Sequence, residues 1–407
     1  MARLEPFRAV RPASGVEARV AAPPYDVMTT DEARALAHDN PQSFLRVTRA
    51  ELELPTDTPP YAEVVYARAR ANFNALIAAG TLFRDPEPAV YVYRLRMGDH
   101  QQTGVAGCFA VDDYEQGIIK KHERTRRDKE NDRTRHIGAL RAQTGPVLLT
   151  YRASAAIDSL VASVAAQTPL YDFAAPDGVR HTLWRAPGAE GRALCAAFTD
   201  VPALYIADGH HRAASAARNR AAEQQMAESA PDASRFLAVA FADTQVRILP
   251  YHRVVKDLAG RSADEFRAAM TRLAPRLDLH DGGPVPARAG EVAMYLDGRW
   301  QRLAFGDIET DDPIRGLDAS LLQDRVLGPL LGIADPRADT RIDFVGGIRG
   351  PKELVRRVDA GVAAVAFAMY PLSVDALMRV SDAGAVLPPK STWFEPKLRD
   401  GLLVHVF

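Results

Sequence analysis

The stretch Leu204-Tyr205-Ile206-Ala207-Asp208-Gly209-His210-His211-Arg212, LYIADGHHR, decides how this chain is read. Its apolar half makes a short strand, Asp208-Gly209 breaks that strand, and an alanine-rich run from Ala213 to Ser229 continues as a helix. The turn delivers two imidazoles and a guanidinium onto the first helical turn. Backbone N–H groups there lack intrahelical partners, and together with the helix dipole they favour anions. Arg212 adds a planar fork of donors that matches phosphate. Asp208 offers a hard oxygen to a divalent cation such as Mg²⁺. An Asp-Gly turn alone is commonplace, but two histidines and an arginine directly behind an apolar strand point to anion binding or catalysis. A structural zinc site is not indicated, because neither C-x-x-C nor H-x-x-x-H spacing is present.

Upstream lies Lys120-Lys121-His122-Glu123-Arg124-Thr125, continuing to Lys129, Asp132, Arg133 and His136. Between Gly117 and Arg141 there are nine Lys/Arg against four Asp/Glu, in a chain whose net charge is -1. Such a local excess draws a phosphate-rich ligand. As mere helix support the pattern is poor. Lys129/Arg133 and Asp128/Asp132 are like-charged at four-residue spacing and cost roughly 0.2–0.5 kcal/mol each.

Three further segments deserve weighing. Pro23-Pro24-Tyr25-Asp26-Val27 stiffens the backbone and either holds Asp26 at a site mouth or forms an Asx-type turn. Pro388-Pro389-Lys390-Ser391-Thr392 offers an ammonium and two hydroxyls on a stiff loop. Gly346-Gly347-Ile348-Arg349-Gly350 lacks the lysine of a P-loop and reads as a tight turn. His252, between apolar neighbours, reads as a satisfied core histidine.

The 407 residues, 47% hydrophobic and 25% charged, describe a globular protein of two or three lobes. Near-zero net charge argues against a whole-surface nucleic-acid binder. Cys108 and Cys195 sit in apolar settings, as reduced core residues of a cytoplasmic protein would. The first fifteen residues lack the apolar run of a signal peptide, and no segment approaches the roughly 20 apolar residues that span a bilayer.

Proline-rich and acidic stretches at Pro55–Pro60, Asp85–Pro88, Gly282–Pro286 and Asp307–Pro313 mark loops. Helices are expected near Thr30–His38 and Tyr61–Ala79, a strand over Ser43–Thr48, and a hairpin over 89–112 turning at Gly98-Asp99. Further strands are expected at Val147–Tyr151, Phe236–Ala242 and Val292–Tyr295. From Arg341 onward, strands and helices alternate. Hairpins mixed with crossovers give an α+β class with a mixed sheet. The expected division is 1–85 contributing to the site, 86–260 as the core with both motifs, and 261–407 as an additional α/β lobe.

APPYDV, KHERT…K…DR, ADGHHR, LPYHRVV, DFVGGIRG and PPKSTWFEPKL occur in this order in a widespread, largely uncharacterised bacterial family, which the chain resembles over nearly its whole length. That family is similar to the free-serine kinases and, through the DGHHR box, to the ParB and sulfiredoxin superfamily. The resemblance implies a ParB/sulfiredoxin-like phosphate-binding core and phosphoryl transfer to the hydroxyl of a free amino acid, L-serine first. The donor would be ATP, ADP or pyrophosphate, with Mg²⁺. Asp208, Gly209, His210, His211 and Arg212 would hold donor phosphates and metal, joined by Lys121, Arg124, Thr125, Lys129 and Arg133. Glu123 and Asp26 compete for the general base. His122 is a candidate for proton shuttling or phosphate contact, and Tyr25, Lys390, Ser391 and Thr392 are candidates for substrate or phosphate contact. The alternatives are a non-catalytic nucleotide- or metabolite-binding regulator and a ParB-like nucleotide hydrolase acting on DNA. The latter lacks a basic recognition helix after the box, and sulfiredoxin chemistry lacks its cysteine.

Overall fold

The computed structural model describes residues 1–225, 230–273, 276–306, 308 and 311–407. The chain packs as two units, Met1–Val246 with Pro396–Phe407, and Arg247–Glu395. This replaces the expected three-part division. Residues 1–85 share a core of Phe44, Phe73 and Leu82 with Leu140 and Val404, so no boundary falls at 85. The break comes at 246 rather than 260, and the last twelve residues return to the first unit.

A large mixed sheet organises the first unit. In chain order its strands are β1 (Leu4–Glu5), β2 (Ala89–Met97), β3 (His100–Ala110), β4 (Ile119–Lys120), β5 (Val147–Tyr151), β6 (Tyr171–Ala174), β7 (Arg180–Pro187), β8 (Leu204–Asp208) and β9 (Arg235–Ala242). They run in the order β4-β8-β5-β9-β3-β2-β7-β6, with β1 beside β3. The expected β2–β3 hairpin forms. Met97 faces His100 across the Gly98-Asp99 turn, and Gly98 takes the positive φ such two-residue turns demand. Val105, Leu149, Ile206 and Phe236 build the core on this sheet.

Helices α1 (Glu63–Ala78), α2 (Arg127–Leu140) and α3 (His210–Glu223) complete the frame of the site. The expected extension of α3 to Ser229 falls partly on 226–229, outside the described residues. One expected strand is wrong: Leu45–Thr48 is a short helix. Its β-favouring residues are outvoted by packing, since Phe44, Leu45 and Val47 are all buried in the N-terminal core.

The second unit holds a six-stranded antiparallel sheet among the described residues: Tyr251–Val255, Leu277–Asp281, Glu291–Leu296, Arg299–Phe305, Ile342–Gly346 and Val365–Met369. The alternation expected after Arg341 is present, with Gly350–Asp359 and Val374–Asp382 as its helices and Ser373 accepting from the Ala376 N–H as N-cap. Gly346 and Gly347 are close-packing positions. A Cβ would stand 2.9 Å from the Trp393 ring at one and 2.4 Å from the Pro250 carbonyl oxygen at the other. Within the loop expected over Asp307–Pro313, residues 307, 309 and 310 lie outside the described ones. Among the described residues no helix is long and apolar enough to cross a membrane.

Candidate functional site

The site follows from two neighbouring strands. β4 and β8 pair in parallel, Ile119 opposite Leu204 and Lys120 opposite Tyr205. The loop after β4 and the turn after β8 therefore leave the sheet at the same end, side by side. Ligands of α/β sheets collect at such carboxyl ends. β8 pairs on its other edge with β5, and its register shifts between Ile206 and Asp208, an irregularity of the kind that re-aims a side chain. Gly209 then turns the chain with φ of 96°, and α3 starts at His210. A side chain at Gly209 would be strained by that φ and would also press on Arg212 Nε at 3.2 Å.

Loop and helix are stitched together by the histidines. The His122 backbone N–H donates to His210 Nε2 at 3.4 Å, and the Arg126 N–H donates to His211 Nε2 at 3.0 Å. The His122 and His210 rings meet edge to face with centroids 4.4 Å apart. Glu123 Oε2 lies 3.9 Å from His210 Nδ1. Because Nε2 of His210 accepts, the ring proton belongs on Nδ1, facing that carboxylate. α2 then packs along α3, with the Ser215 hydroxyl donating to the Glu130 carbonyl at 3.1 Å and Arg218 reaching the Glu130 carboxylate at 3.4 Å.

Burial dominates the electrostatics of both imidazoles. It pushes His122 down to about 4, against the opposing pull of Asp208 and the Ile206 carbonyl. Burial likewise lowers His210, helped by His122. Both rings are neutral at pH 7. His122 is 1% exposed, and neither of its ring nitrogens makes a hydrogen bond. Each such unmade bond costs about 1–3 kcal/mol, so the ring is held where the fold gains nothing from its polarity.

Beside this pair, Lys397 donates to Asp208 Oδ2 at 3.1 Å and Arg212 lies 3.9 Å from the same oxygen. Burial alone would raise Asp208, but Lys397 and Arg212 overrule it and hold the carboxyl well below the usual range. A carboxylate already neutralised by two cations is a poor ligand for Mg²⁺, so the donor set does not fit the metal role expected of Asp208. Arg212 also donates to the Pro146 carbonyl, while its Nε has no partner.

On the far side of Arg212, Tyr25, Arg133, Thr144, Gly145 and Asp400 line a cavity of about 30 Å³. That is room for one or two waters, not for a nucleotide. Arg133 stacks on the Tyr25 ring at 4.1 Å and pairs with Asp132 at 2.8 Å. Burial raises the Tyr25 hydroxyl, assisted by Asp26. Asp400 is 3% exposed and its Oδ1 is unpartnered. Burial pushes it up to about 7, despite Arg212. Gly145 makes room for it, since a Cβ there would stand 2.2 Å from that Oδ1.

The structure thus brings His122, Glu123, Asp208, Gly209, His210, His211 and Arg212 into one neighbourhood, and sets Tyr25 and Arg133 against the adjoining cavity. Lys121 lies on the same loop with its ammonium 4.1 Å from the Tyr114 ring centroid. Arg124 is exposed beside it, and the Thr125 hydroxyl donates to the Glu130 carboxylate. Lys129 is turned outward, donating to the Tyr61 hydroxyl at 3.1 Å. Asp26 is exposed next to Tyr25. Lys390, Ser391 and Thr392 belong to the second unit. There Lys390 stands 5.6 Å from the Tyr251 ring centroid and the Ser391 hydroxyl donates to the Pro388 carbonyl at 2.7 Å. Lys397 and Asp400 were not foreseen. Lys397 stood in the quoted WFEPKL segment, but Asp400 carries no local signal.

A family model described as "Protein of unknown function (DUF1015)" matches residues 4–320. No curated protein matches the chain. Among solved structures, a free serine kinase mutant in complex with AMP is similar at 14% identity over 74% of this chain and 92% of that one, with a TM-score of 0.36. SbnI with a C-terminal truncation, from Staphylococcus aureus, is similar at 13% identity over 72% and 85%, with a TM-score of 0.38. A conserved hypothetical protein from Pyrococcus furiosus is similar at 14% identity over 74% and 94%, with a TM-score of 0.34.

Proposed function

We propose that this chain, which belongs to the DUF1015 family of proteins of unknown function, transfers a phosphoryl group to the hydroxyl of a free amino acid, L-serine first among them. In this reading the first unit is a ParB/sulfiredoxin-like phosphate-binding core working in the cytoplasm. One observation carries the proposal. The basic loop after β4 is bonded to the start of α3 through His210 and His211, so cationic groups from distant sequence share one end of the sheet.

Phosphoryl transfer asks a protein for positioning and for neutralisation of charge on the transferring oxygens. Arg212 meets the second need: burial opposes its charge, but Asp208, Asp26 and Asp400 keep it protonated. Lys121 and Arg124 add exposed charge on the loop. In the reaction the serine hydroxyl oxygen bonds to the terminal phosphorus of ATP, ADP or pyrophosphate. The bridging P–O bond breaks toward the donor, and the hydroxyl proton passes to a carboxylate. Glu123 and Asp26 are the two carboxylates for that role. Mg²⁺ carried on the donor would offset charge on its phosphates, while Arg212, Lys121 and Arg124 supply the protein's share.

The test is direct. Protein is incubated with Mg²⁺ and L-serine, and ATP, ADP and pyrophosphate are offered separately. O-phosphoserine by mass spectrometry with at least one donor is the expected result. Donor binding without product from any of the three overturns the enzyme in favour of a regulator. Asp26→Asn and Glu123→Gln, compared at saturating donor, identify which carboxylate takes the proton.

A further inference from the structure

We infer that His122, Glu123 and His210 form a binding site for a divalent transition-metal ion, with Zn²⁺ as the ion expected to occupy it. One donor atom from each of the three residues lies within 4.8 Å of the other two. Two imidazole nitrogens and one carboxylate oxygen are the donor set preferred by zinc, cobalt and their neighbours, and are too nitrogen-rich to suit Mg²⁺. Three protein ligands leave a fourth position for water or a phosphate oxygen.

A second observation points the same way independently of that grouping. His122 is 1% exposed, its ring lies edge to face against His210, and neither of its nitrogens has a hydrogen-bond partner. The Ile206 carbonyl can face only the ring N–H, so the other nitrogen carries a lone pair that no donor meets, which packing alone explains poorly. A metal ion supplies the acceptor.

The geometry must tighten to close the site, because metal–nitrogen and metal–oxygen bonds of about 2 Å bring tetrahedral ligands nearer than they stand here. Glu123 can make that move: its side chain is 47% exposed and sits on the loop before α2. Coordination through His210 Nδ1, the nitrogen facing Glu123, shifts the ring proton to Nε2. The bond given up is the one from the His122 amide, which at 3.4 Å is long and weak. With Glu123 engaged as a ligand, the proton of the acceptor hydroxyl falls to Asp26.

The site stands apart from the kinase reading, because it is read without turnover. Untagged full-length protein, treated with chelator and then dialysed, is titrated with ZnCl₂ by calorimetry and with CoCl₂ by visible absorption. Expected are one saturable Zn²⁺ site and cobalt d–d bands of tetrahedral intensity. Loss of an outer hydrogen-bond partner of a metal site already costs about 10–100-fold in affinity, so Glu123→Gln is expected to weaken Zn²⁺ at least that much. His122→Asn should lose the cobalt bands while keeping the native circular dichroism. His280→Ala, an exposed imidazole outside the cluster, should bind as the parent does. Absence of saturable binding in the parent protein overturns the proposal, and so does a Glu123→Gln variant of unchanged affinity. Zinc binding without O-phosphoserine leaves the metal site standing and removes the kinase; O-phosphoserine without zinc binding does the reverse.

Discussion

His122 in the first unit and His252 in the second are a matched pair with opposite fittings. Both are buried, at 1% and 3% exposure, and burial pushes both down to about 4. His252 sits in a central strand and its Nδ1 accepts from the Met369 N–H at 3.1 Å. His136 is fitted likewise, bonded through Nε2 to the Val47 carbonyl at 3.0 Å. His122 has lost its water and has only the Ile206 carbonyl near it, with no hydrogen bond of good geometry at either ring nitrogen. Folding dehydrates all three rings, but only two are repaid in hydrogen bonds. A buried imidazole is therefore no sign of function by itself; an unserved one is. Asp400, with its unpartnered Oδ1 beside Arg212, falls on the side of His122.

Acid tests what the rings share, and its effect is the largest expected. His122, His136, His252 and His405 all fall from 6.5 to about 4 on burial. Between those values the unfolded chain binds protons that the native state refuses. Stability is therefore full above 6.5 and lost on acidification, by about 3 kcal/mol for each ring. Four such rings, about 12 kcal/mol together, are comparable to the whole stability of an ordinary domain, about 5–15 kcal/mol. Cooperative unfolding before pH 4 is expected in a circular-dichroism titration. Native structure retained at pH 4 would show that the rings are not held neutral.

Asp400 titrates in the other sense. Its folded value of about 7 lies above the unfolded 3.8, so the native state holds a proton the unfolded chain has released. Stability from this group is present at low pH and lost as pH rises through 7, by up to about 4 kcal/mol. Asp400→Asn should gain in thermal stability over the parent, and the gain should grow toward pH 7 and level off above it. A pH-independent difference would show that the carboxyl is ionised throughout.

The last pair of substitutions separates the two kinds of imidazole. His252→Leu strands the Met369 N–H and is expected to cost about 1–3 kcal/mol in denaturant unfolding. His122→Leu removes a ring with no well-formed hydrogen bond to lose, so it should cost no stability, yet abolish zinc binding. Equal losses of stability at the two positions would erase the distinction.

Much of the frame was legible because it is local. The β8 strand, the Asp-Gly break and α3 follow from apolar run, turn chemistry and helix propensity within twenty residues. The β2–β3 hairpin and the alternation after Arg341 are written the same way. The pairing of the basic loop with the histidine box rests on the parallel β4–β8 contact, and β4 is only two residues long, too short to announce itself. The C-terminal return was invisible for a related reason. Lys397 reaches Asp208 across 189 residues, and Val404 bridges to Val10. No periodicity records such a partner. Ser43–Thr48 failed differently, its β-branched residues being enlisted by a buried core in a helical turn.

Amide hydrogen exchange with and without pyrophosphate and Mg²⁺ reaches the central claim most directly. If one polyphosphate is gripped jointly, peptides covering Lys120–Arg126 and Gly209–Ala213 slow together on ligand addition, at the same half-saturating concentration. Protection confined to one of the two segments, or to neither while the ligand binds elsewhere, would contradict it.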